Sequence, residues 1–220
     1  MEMRDVIKNS LPPSVVDRVR IWRYGKKEEA GEKPAEWYDD ALEKSDTYDK
    51  HYTDSRYYAI WTVLIDRARK YGPSNVLEIG CGTGQLAWAL RDYHLLKSYC
   101  GIDFAPKRIA LARQKCPELR FEIADAFQTD LFTTLTYDLV ISTEFLEHVE
   151  GDLEVISKIP SGTTFLGTVP NYPWTSHVRH FETPQQVTER YAGNFTGFDV
   201  FPILRRKDNK IIYLMEGRKI

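Results

Sequence analysis

From about residue 55 onward the chain alternates short apolar runs with stretches whose apolar positions recur at helical spacing. Val76-Leu77-Glu78-Ile79 is a short run closed by Gly80, the pattern of a strand buried in a parallel sheet. Ser98–Asp103, Leu119–Ile123, Tyr137–Ser142 and Gly162–Val169 read the same way. Between them lie predicted helices. Asp54-Ser55 caps one that runs to about Tyr71, with Tyr58, Trp61, Leu64 and Ile65 on one face and Gly72-Pro73 as its stop. Leu86–Leu90 opens a second helix and Ala105–Lys115 forms a third. Residues 150–158 make a short one, and Glu182-Thr183-Pro184 starts the last with proline in its first turn. Thr133-Thr134-Leu135-Thr136, ahead of the fourth strand, reads as a Thr-rich loop. Phe198–Leu204 and Lys210–Met215, joined by a polar turn, read as a β-hairpin. Strand and helix in alternation predict an α/β protein with a parallel sheet and helices on both faces.

The first 50 or so residues differ: they are polar and rich in charge. Pro13-Ser14 marks a short helix through Val15, Val16 and Val19, and Gly25 to Pro34 reads as a connector. From Ala35 to Tyr52, Trp37, Tyr38, Tyr48 and Tyr52 are spaced among acids. Two readings stay open, a loosely packed amphipathic arm or a lid over a site. The expected division is an N-terminal arm or helical cap over 1–54 and a ligand-binding domain over 55–220.

Charge and cysteine content narrow the class. Lys and Arg number 30 against 32 Asp and Glu, a net charge of −2 with both signs mixed, so the whole chain carries no electrostatic footprint for nucleic acid. A small-molecule partner is expected, with nucleic acid reachable only through a local patch. Cys81, Cys100 and Cys116 lack metal-ligand spacing and read as reduced thiols of a cytoplasmic protein. The charged start Met1-Glu2-Met3-Arg4-Asp5 has no apolar core of a signal peptide, and no apolar run nears the ~20 residues of a bilayer span. Nothing in the pattern fixes the oligomeric state.

The candidate chemistry sits at strand ends. After Ile79 come Gly80, Cys81, Gly82, Thr83, Gly84 and Gln85, a strand–glycine turn–helix arrangement in which a ligand lies against bare backbone. Dinucleotide sites favour G-x-G-x-x-G, whereas here the spacing is G-x-G-x-G, with Glu78 ahead of it. Asp103 ends the second strand about 20 residues later, placed to accept hydrogen bonds from ribose hydroxyls. That spacing suits an NAD site as well as other nucleosides. Past the fourth strand, Thr143-Glu144-Phe145-Leu146-Glu147-His148 puts two carboxylates and an imidazole where ligands sit, a costly burial without a task. If one helical turn carries Glu144, Glu147 and His148, their heads share neighbouring faces. His177 and His180 follow in the loop after the fifth strand.

The glycine turn resembles motif I of the class I S-adenosylmethionine-dependent methyltransferases, and Tyr137–Ser142 with Glu144-x-x-Glu147-His148 resembles their motif IV. Val169-Pro170-Asn171 and His177-Val178-Arg179-His180-Phe181 are similar to the same group, and the resemblance spans about 55–220. The likeness is to ubiquinone-biosynthesis O-methyltransferases and, at Glu-x-x-Glu-His, to small-RNA 2′-O-methyltransferases. It implies a Rossmann-like seven-stranded sheet, parallel with a terminal antiparallel hairpin. It implies S-adenosyl-L-methionine as cofactor, held by Gly80, Cys81, Gly82, Gly84 and Gln85, with Glu78 and Thr143 beside them. Asp103 and Phe104 would meet the ribose, Asp125, Ala126 and Phe127 the adenine, and Arg56 the methionine carboxylate. Catalytic candidates are Glu144, His148, His177 and His180, the choice of base among the histidines left open. The small-RNA likeness implies a divalent metal such as Mg2+ on Glu144, Glu147, His148 and His180, whereas other members use no metal. The expected reaction is methyl transfer to an oxygen, or less readily a nitrogen, of a hydroxylated small molecule. A metal-dependent RNA ribose 2′-O-methyltransferase, an NAD-dependent oxidoreductase and a non-catalytic cofactor-binding subunit are the alternatives.

Overall fold

The structure is a computed structural model, described here for residues 30–205 and 210–220. The helix predicted from Pro13-Ser14, most of the connector before Pro34 and the hairpin turn at 206–209 lie outside the described residues. Gly31–Ile220 forms one unit. The expected boundary at residue 54 is therefore not a structural one, since residues 31–54 fold together with residues 55–220.

Seven strands form one sheet: β1 (Ser74–Ile79), β2 (Leu96–Asp103), β3 (Arg120–Ile123), β4 (Leu139–Thr143), β5 (Thr164–Pro170), β6 (Phe195–Arg205) and β7 (Lys210–Lys219), in the order β3-β2-β1-β4-β5-β7-β6. β1 pairs in parallel with both β2 and β4, and β7 is antiparallel to β5 and β6. The order reverses beside β1. A crevice must open there at the carboxyl ends of the strands, where crossovers depart in opposite directions. Period-two side chains feed two cores. Val76, Ile141 and Leu166 face one, while Leu77, Ile79, Val140 and Phe165 face the other.

Seven helices are assigned among the described residues: α1 (Ala35–Glu43), α2 (Tyr58–Arg69), α3 (Gln85–Asp92), α4 (Pro106–Lys115), α5 (Leu131–Thr134), α6 (Asp152–Ser157) and α7 (Pro184–Tyr191). α2 buries Ile60, Trp61, Leu64, Ile65 and Ala68 at helical spacing. Its end is tied to β7 by Glu216, which accepts from Arg67 Nε (2.7 Å), Lys70 Nζ (3.2 Å) and the Tyr71 hydroxyl (2.6 Å). Thr183 and Gln186 form a reciprocal capping box at the start of α7. The Thr-rich segment expected as loop instead closes one helical turn, α5, whose Thr133 and Thr134 hydroxyls donate to the Asp130 carbonyl.

The arm is packed rather than loose. The amide of Lys107, in the first turn of α4, donates to Asp39 Oδ1 (3.1 Å), and Asp39 is buried. Arg108 Nε donates to the Tyr38 carbonyl (3.3 Å), and its guanidinium lies 5.0 Å from both the Tyr38 and Tyr48 ring centroids. Gln85 Nε2 donates to the carbonyls of Thr47 (3.2 Å) and Lys50 (2.8 Å), and the Thr83 hydroxyl to that of Tyr48 (2.9 Å). The glycine turn thus holds the arm from beneath.

Candidate active site

Two cavities meet at the carboxyl ends of β1, β2 and β4. The first, of roughly 250 Å³, is lined by Asp103, Phe104, Asp125, Ala126 and Phe127, with Tyr38, Arg108 and Phe145 closing it. The second, of roughly 410 Å³, takes in Glu78, Cys81, Gly82, Gln85, Arg56 and Thr143, and runs on to Tyr57, Tyr172 and His177. Tyr38, Gly80, Arg108, Glu144 and His148 border both.

The first cavity is lined by two carboxylates that backbone amides hold in place. Asp103 ends β2 with its carboxylate fixed by the amides of Gly82 (3.0 Å) and Ala105 (2.9 Å). Burial raises its pKa, opposed by Arg108 and by those two amides. Asp125 accepts from the Phe127 amide (2.8 Å) and Gln128 Nε2 (3.0 Å), so its carboxylate is also held in place. Phe104 is 38% exposed, an apolar face left open toward the cavity.

Gly82 and Gly84 both have left-handed backbone, φ 54° and 73°, but serve different ends. A Cβ on Gly82 would meet nothing nearer than Arg108 Nη1 at 3.8 Å, so the space beside it is open to the second cavity. A Cβ on Gly84 would lie 2.9 Å from Ala112 Cβ and 3.2 Å from Phe121. Gly84 lines neither cavity. Contrary to the expected ligand role, it lets α3 approach α4. Cys81 is buried, and burial pushes its thiol well above the usual range, so it stays a neutral filler. Glu78 is buried beneath the turn. Burial raises its pKa to about 8, against the Tyr99 hydroxyl that donates to Oε2 at 2.7 Å.

The segment after β4 departs from the expected helical turn. Glu144 itself has φ 51°, and only Leu146–His148 coils, as a 3-10 turn. Only Glu144 is parted from the other two, since Glu147 Oε1 lies 3.7 Å from His148 Nε2. Glu144 points along the sheet, accepting from the Thr168 hydroxyl at Oε1 (3.1 Å), while its own amide donates to Thr168 Oγ1 (3.0 Å). Burial raises its pKa to about 7. Glu147 is fully buried, and neither carboxylate oxygen has a hydrogen-bond partner among the described residues. Burial and then Glu144 raise its pKa.

His148 and His177 face each other with ring centroids 4.8 Å apart. His148 Nδ1 is 2.8 Å from the Ser176 carbonyl, and His177 Nδ1 is 3.1 Å from the Tyr172 carbonyl. A carbonyl only accepts, so each Nδ1 carries the proton and each Nε2 keeps a lone pair. Burial lowers the pKa of His148 to about 3 and of His177 to about 4, which keeps both neutral at physiological pH. Ligand atoms of Glu147, His148 and His177 lie within 4.8 Å of one another. His180 is exposed, outside this group and both cavities, because the loop turns it outward before Phe181 buries. Glu144 is likewise not in the group. The set assembled by the fold is thus not the one expected from the sequence: His177 stands where His180 was anticipated.

Several lining residues escaped sequence reading. Arg108 has no local motif, and Arg205 and Lys210 flank a turn that looks merely polar. Tyr172 and Trp174 carried a faint signal, two aromatics in a loop at a strand's carboxyl end.

Residues 77–161 match the model of a methyltransferase domain family. Among curated relatives, malonyl-[acyl-carrier protein] O-methyltransferase of Anoxybacillus flavithermus is 32% identical over 89 residues, 40% of this chain and 34% of that protein. Demethylmenaquinone methyltransferase of Thermus thermophilus is 38% identical over 66 residues, 28% of this chain and 30% of that protein. The match thus spans about a third of the length of these relatives. The N-methyltransferase NodS from Bradyrhizobium japonicum, solved with S-adenosyl-L-homocysteine, shares the fold with a TM-score of 0.59 and 20% identity, covering 72% of this chain and 85% of that one. No described helix is long and apolar enough to cross a membrane.

Proposed function

We propose that the chain transfers a methyl group from S-adenosylmethionine to an oxygen of a hydroxylated small molecule. The observation that carries this reading is the junction of the two cavities at Gly80, Glu144 and His148. A nucleoside in the first cavity, its ribose on Asp103 and its base beside Asp125 and Phe127, would direct its sulfonium toward that junction. An acceptor in the second cavity would approach from the opposite side.

The acceptor oxygen attacks the methyl carbon in line with the carbon–sulfur bond. A carbon–oxygen bond forms, the carbon–sulfur bond breaks, and sulfur keeps the electron pair as a neutral thioether. The acceptor proton must leave to a base. Glu144 suits this at neutral pH, since its pKa is raised to about 7 by burial and Thr168 fixes its orientation. His148 and His177, with strongly depressed pKa values, serve as neutral hydrogen-bond acceptors toward the substrate. The rest of the work is alignment and exclusion of water, to which the arm contributes.

A second reading rests on Glu147. Two buried carboxylate oxygens without a hydrogen-bond partner among the described residues, beside two imidazole lone pairs, suit a divalent cation. Glu147, His148 and His177 would hold it, and such an ion would lower the pKa of an acceptor hydroxyl. This is the form in which a ribose diol of RNA becomes an alternative acceptor.

Both readings are tested together. Purified protein is given labelled S-adenosylmethionine, a catechol panel and an RNA oligonucleotide, with and without chelator, and methylated products are read by mass spectrometry. Product on a small catechol supports the first reading, and its loss on chelation supports the second. Calorimetry with S-adenosylhomocysteine tests the cofactor: D103N is expected to bind at least tenfold more weakly, about 1.5–3 kcal/mol for a hydrogen bond to a charged group. Wild-type protein that shows no affinity would overturn the assignment, and binding without any product would favour a non-catalytic subunit.

A further inference from the structure

The loop after β5 grips the segment after β4, and most of the grip comes from one side chain. The Val178 and Arg179 amides donate to the Glu147 carbonyl, at 2.8 and 3.4 Å. The Arg179 guanidinium then fans out over the end of the 3-10 turn. Its Nη1 donates to the carbonyls of Leu146 (2.5 Å) and Val149, and its Nη2 to that of Glu150 (3.0 Å). Nη2 also lies 3.5 Å from the exposed Glu150 carboxylate, and Nη1 lies 3.4 Å from Asp152 Oδ2. Asp152 is buried and is fixed in turn by α7. Arg190 donates to both its oxygens (2.7 and 2.6 Å), and the Tyr191 hydroxyl donates to Oδ2 (2.8 Å).

Arg179 lines neither cavity. What it holds is backbone with little order of its own: Glu144 is left-handed, and only three residues after it coil. Carbonyls at the end of a helical turn point past it without partners inside it, and a cation placed there satisfies them. A guanidinium suits the place, because its planar fork presents five N–H groups at fixed angles, whereas an ammonium is a point charge. His148 sits inside the clamped stretch, and its Nδ1 meets the Ser176 carbonyl of the clamping loop. His177 is the next residue of that loop, and its ring faces that of His148. Arg179 follows His177 by two positions and precedes His180 by one. With the loop anchored at Arg179, His177 is buried on one side of the anchor and His180 is exposed on the other.

We propose that Arg179 is the positioning residue of the His148–His177 pair. By holding the carbonyls of Leu146, Val149 and Glu150 it sets His148 at the junction of the two cavities, and it selects His177 over His180 as the ring opposite. Its meaning for methyl transfer rests on that junction being the reaction site, whereas the placement of the rings is a property of the ligand-free chain. The line of support runs from α7 through Asp152 and Arg179 to the 3-10 turn, so an element remote from the cavities governs the geometry of the imidazoles.

The test is NMR of the histidine ring tautomers in the full chain, labelled with nitrogen-15 and free of ligand, at one neutral pH. The wild type is expected to show two rings protonated on Nδ1, assigned by H148Q and H177Q. R179K keeps a charge opposite Asp152 but cannot span three carbonyls, so it is expected to fold and yet lose the His148 Nδ1–H signal. R179Q is expected to lose the signals of both rings. E216Q controls for lost stability elsewhere: it weakens the tie between α2 and β7, so its melting temperature is expected to fall with both rings unchanged. S-adenosylhomocysteine is expected to bind R179K as tightly as wild type, since Arg179 lines neither cavity. Absence of the two Nδ1–H rings from the wild type, unchanged rings in folded R179K and R179Q, or an equal change in E216Q would overturn the proposal. If R179Q does not fold, R179K decides. If neither folds, the wild type decides through its arginine spectrum: separate Nη1 and Nη2 signals for Arg179 are expected, and one averaged signal would overturn the proposal. Wild type without affinity for S-adenosylhomocysteine would overturn the cofactor reading and leave the tautomer result standing.

Discussion

Glu78 shows how a single side chain ties the cofactor turn to stability. Its carboxyl is fully buried, and burial lifts its pKa from 4.5 to about 8 in the folded chain. Between those values the folded protein holds a proton that the unfolded chain releases. Stability from this group is therefore fully present below about 4.5 and is lost as pH rises toward about 8, by at most roughly 1.4 kcal/mol for each pH unit crossed. Chemical denaturation of the ligand-free protein at pH 5, 6.5 and 8 should show this decline, and E78Q should flatten it. At this scale the residues that line the first cavity at the strand ends were legible. Asp103, Asp125 and the glycines announce themselves by their place at strand ends. The choice between the loop histidines was not, because which of them points inward depends on the turn of a loop. His177 and His180 are indistinguishable by spacing, and only the fold buries one and exposes the other.

The elements were readable wherever period and punctuation agreed. The strands and the helix after Thr183 follow from alternation and from a proline in the first helical turn, and the structure moves their ends by a few residues. The error lay after β4, where a Glu-x-x-Glu-His spacing looks helical but the backbone at Glu144 turns left-handed. A non-glycine residue in that conformation costs of order 1 kcal/mol or more, which spacing cannot reveal. The same logic separates two glycines. G84A should lose roughly 2–4 kcal/mol of stability, the sum of left-handed strain and the clash of α3 with Ala112. G82A meets no such clash, so it should lose only about 1 kcal/mol while weakening S-adenosylhomocysteine binding at least tenfold. Denaturant titration and calorimetry on the pair would tell packing from ligand contact.

For the whole molecule, the arm is the part that sequence left undecided. Its aromatics have no period, and their partners, Arg108, Gln85 and Asp39 among them, are distant in the chain. Its placement is a tertiary fact. Q85A removes two hydrogen bonds to carbonyls of residues 47 and 50, worth about 0.5–1.5 kcal/mol each. Amide exchange over residues 44–52 should quicken in Q85A, and S-adenosylhomocysteine should protect the arm in the wild type. Unchanged exchange in both would mean the arm is held elsewhere.

Because Thr83 and Gln85 grip the arm from the very turn on which the cofactor would rest, that turn faces both ways at once. Loading beneath it and fastening above it share the same few residues. A catalytic cycle built on such a hinge would run in a set sequence, nucleoside first in and last out, with the acceptor visiting only in between.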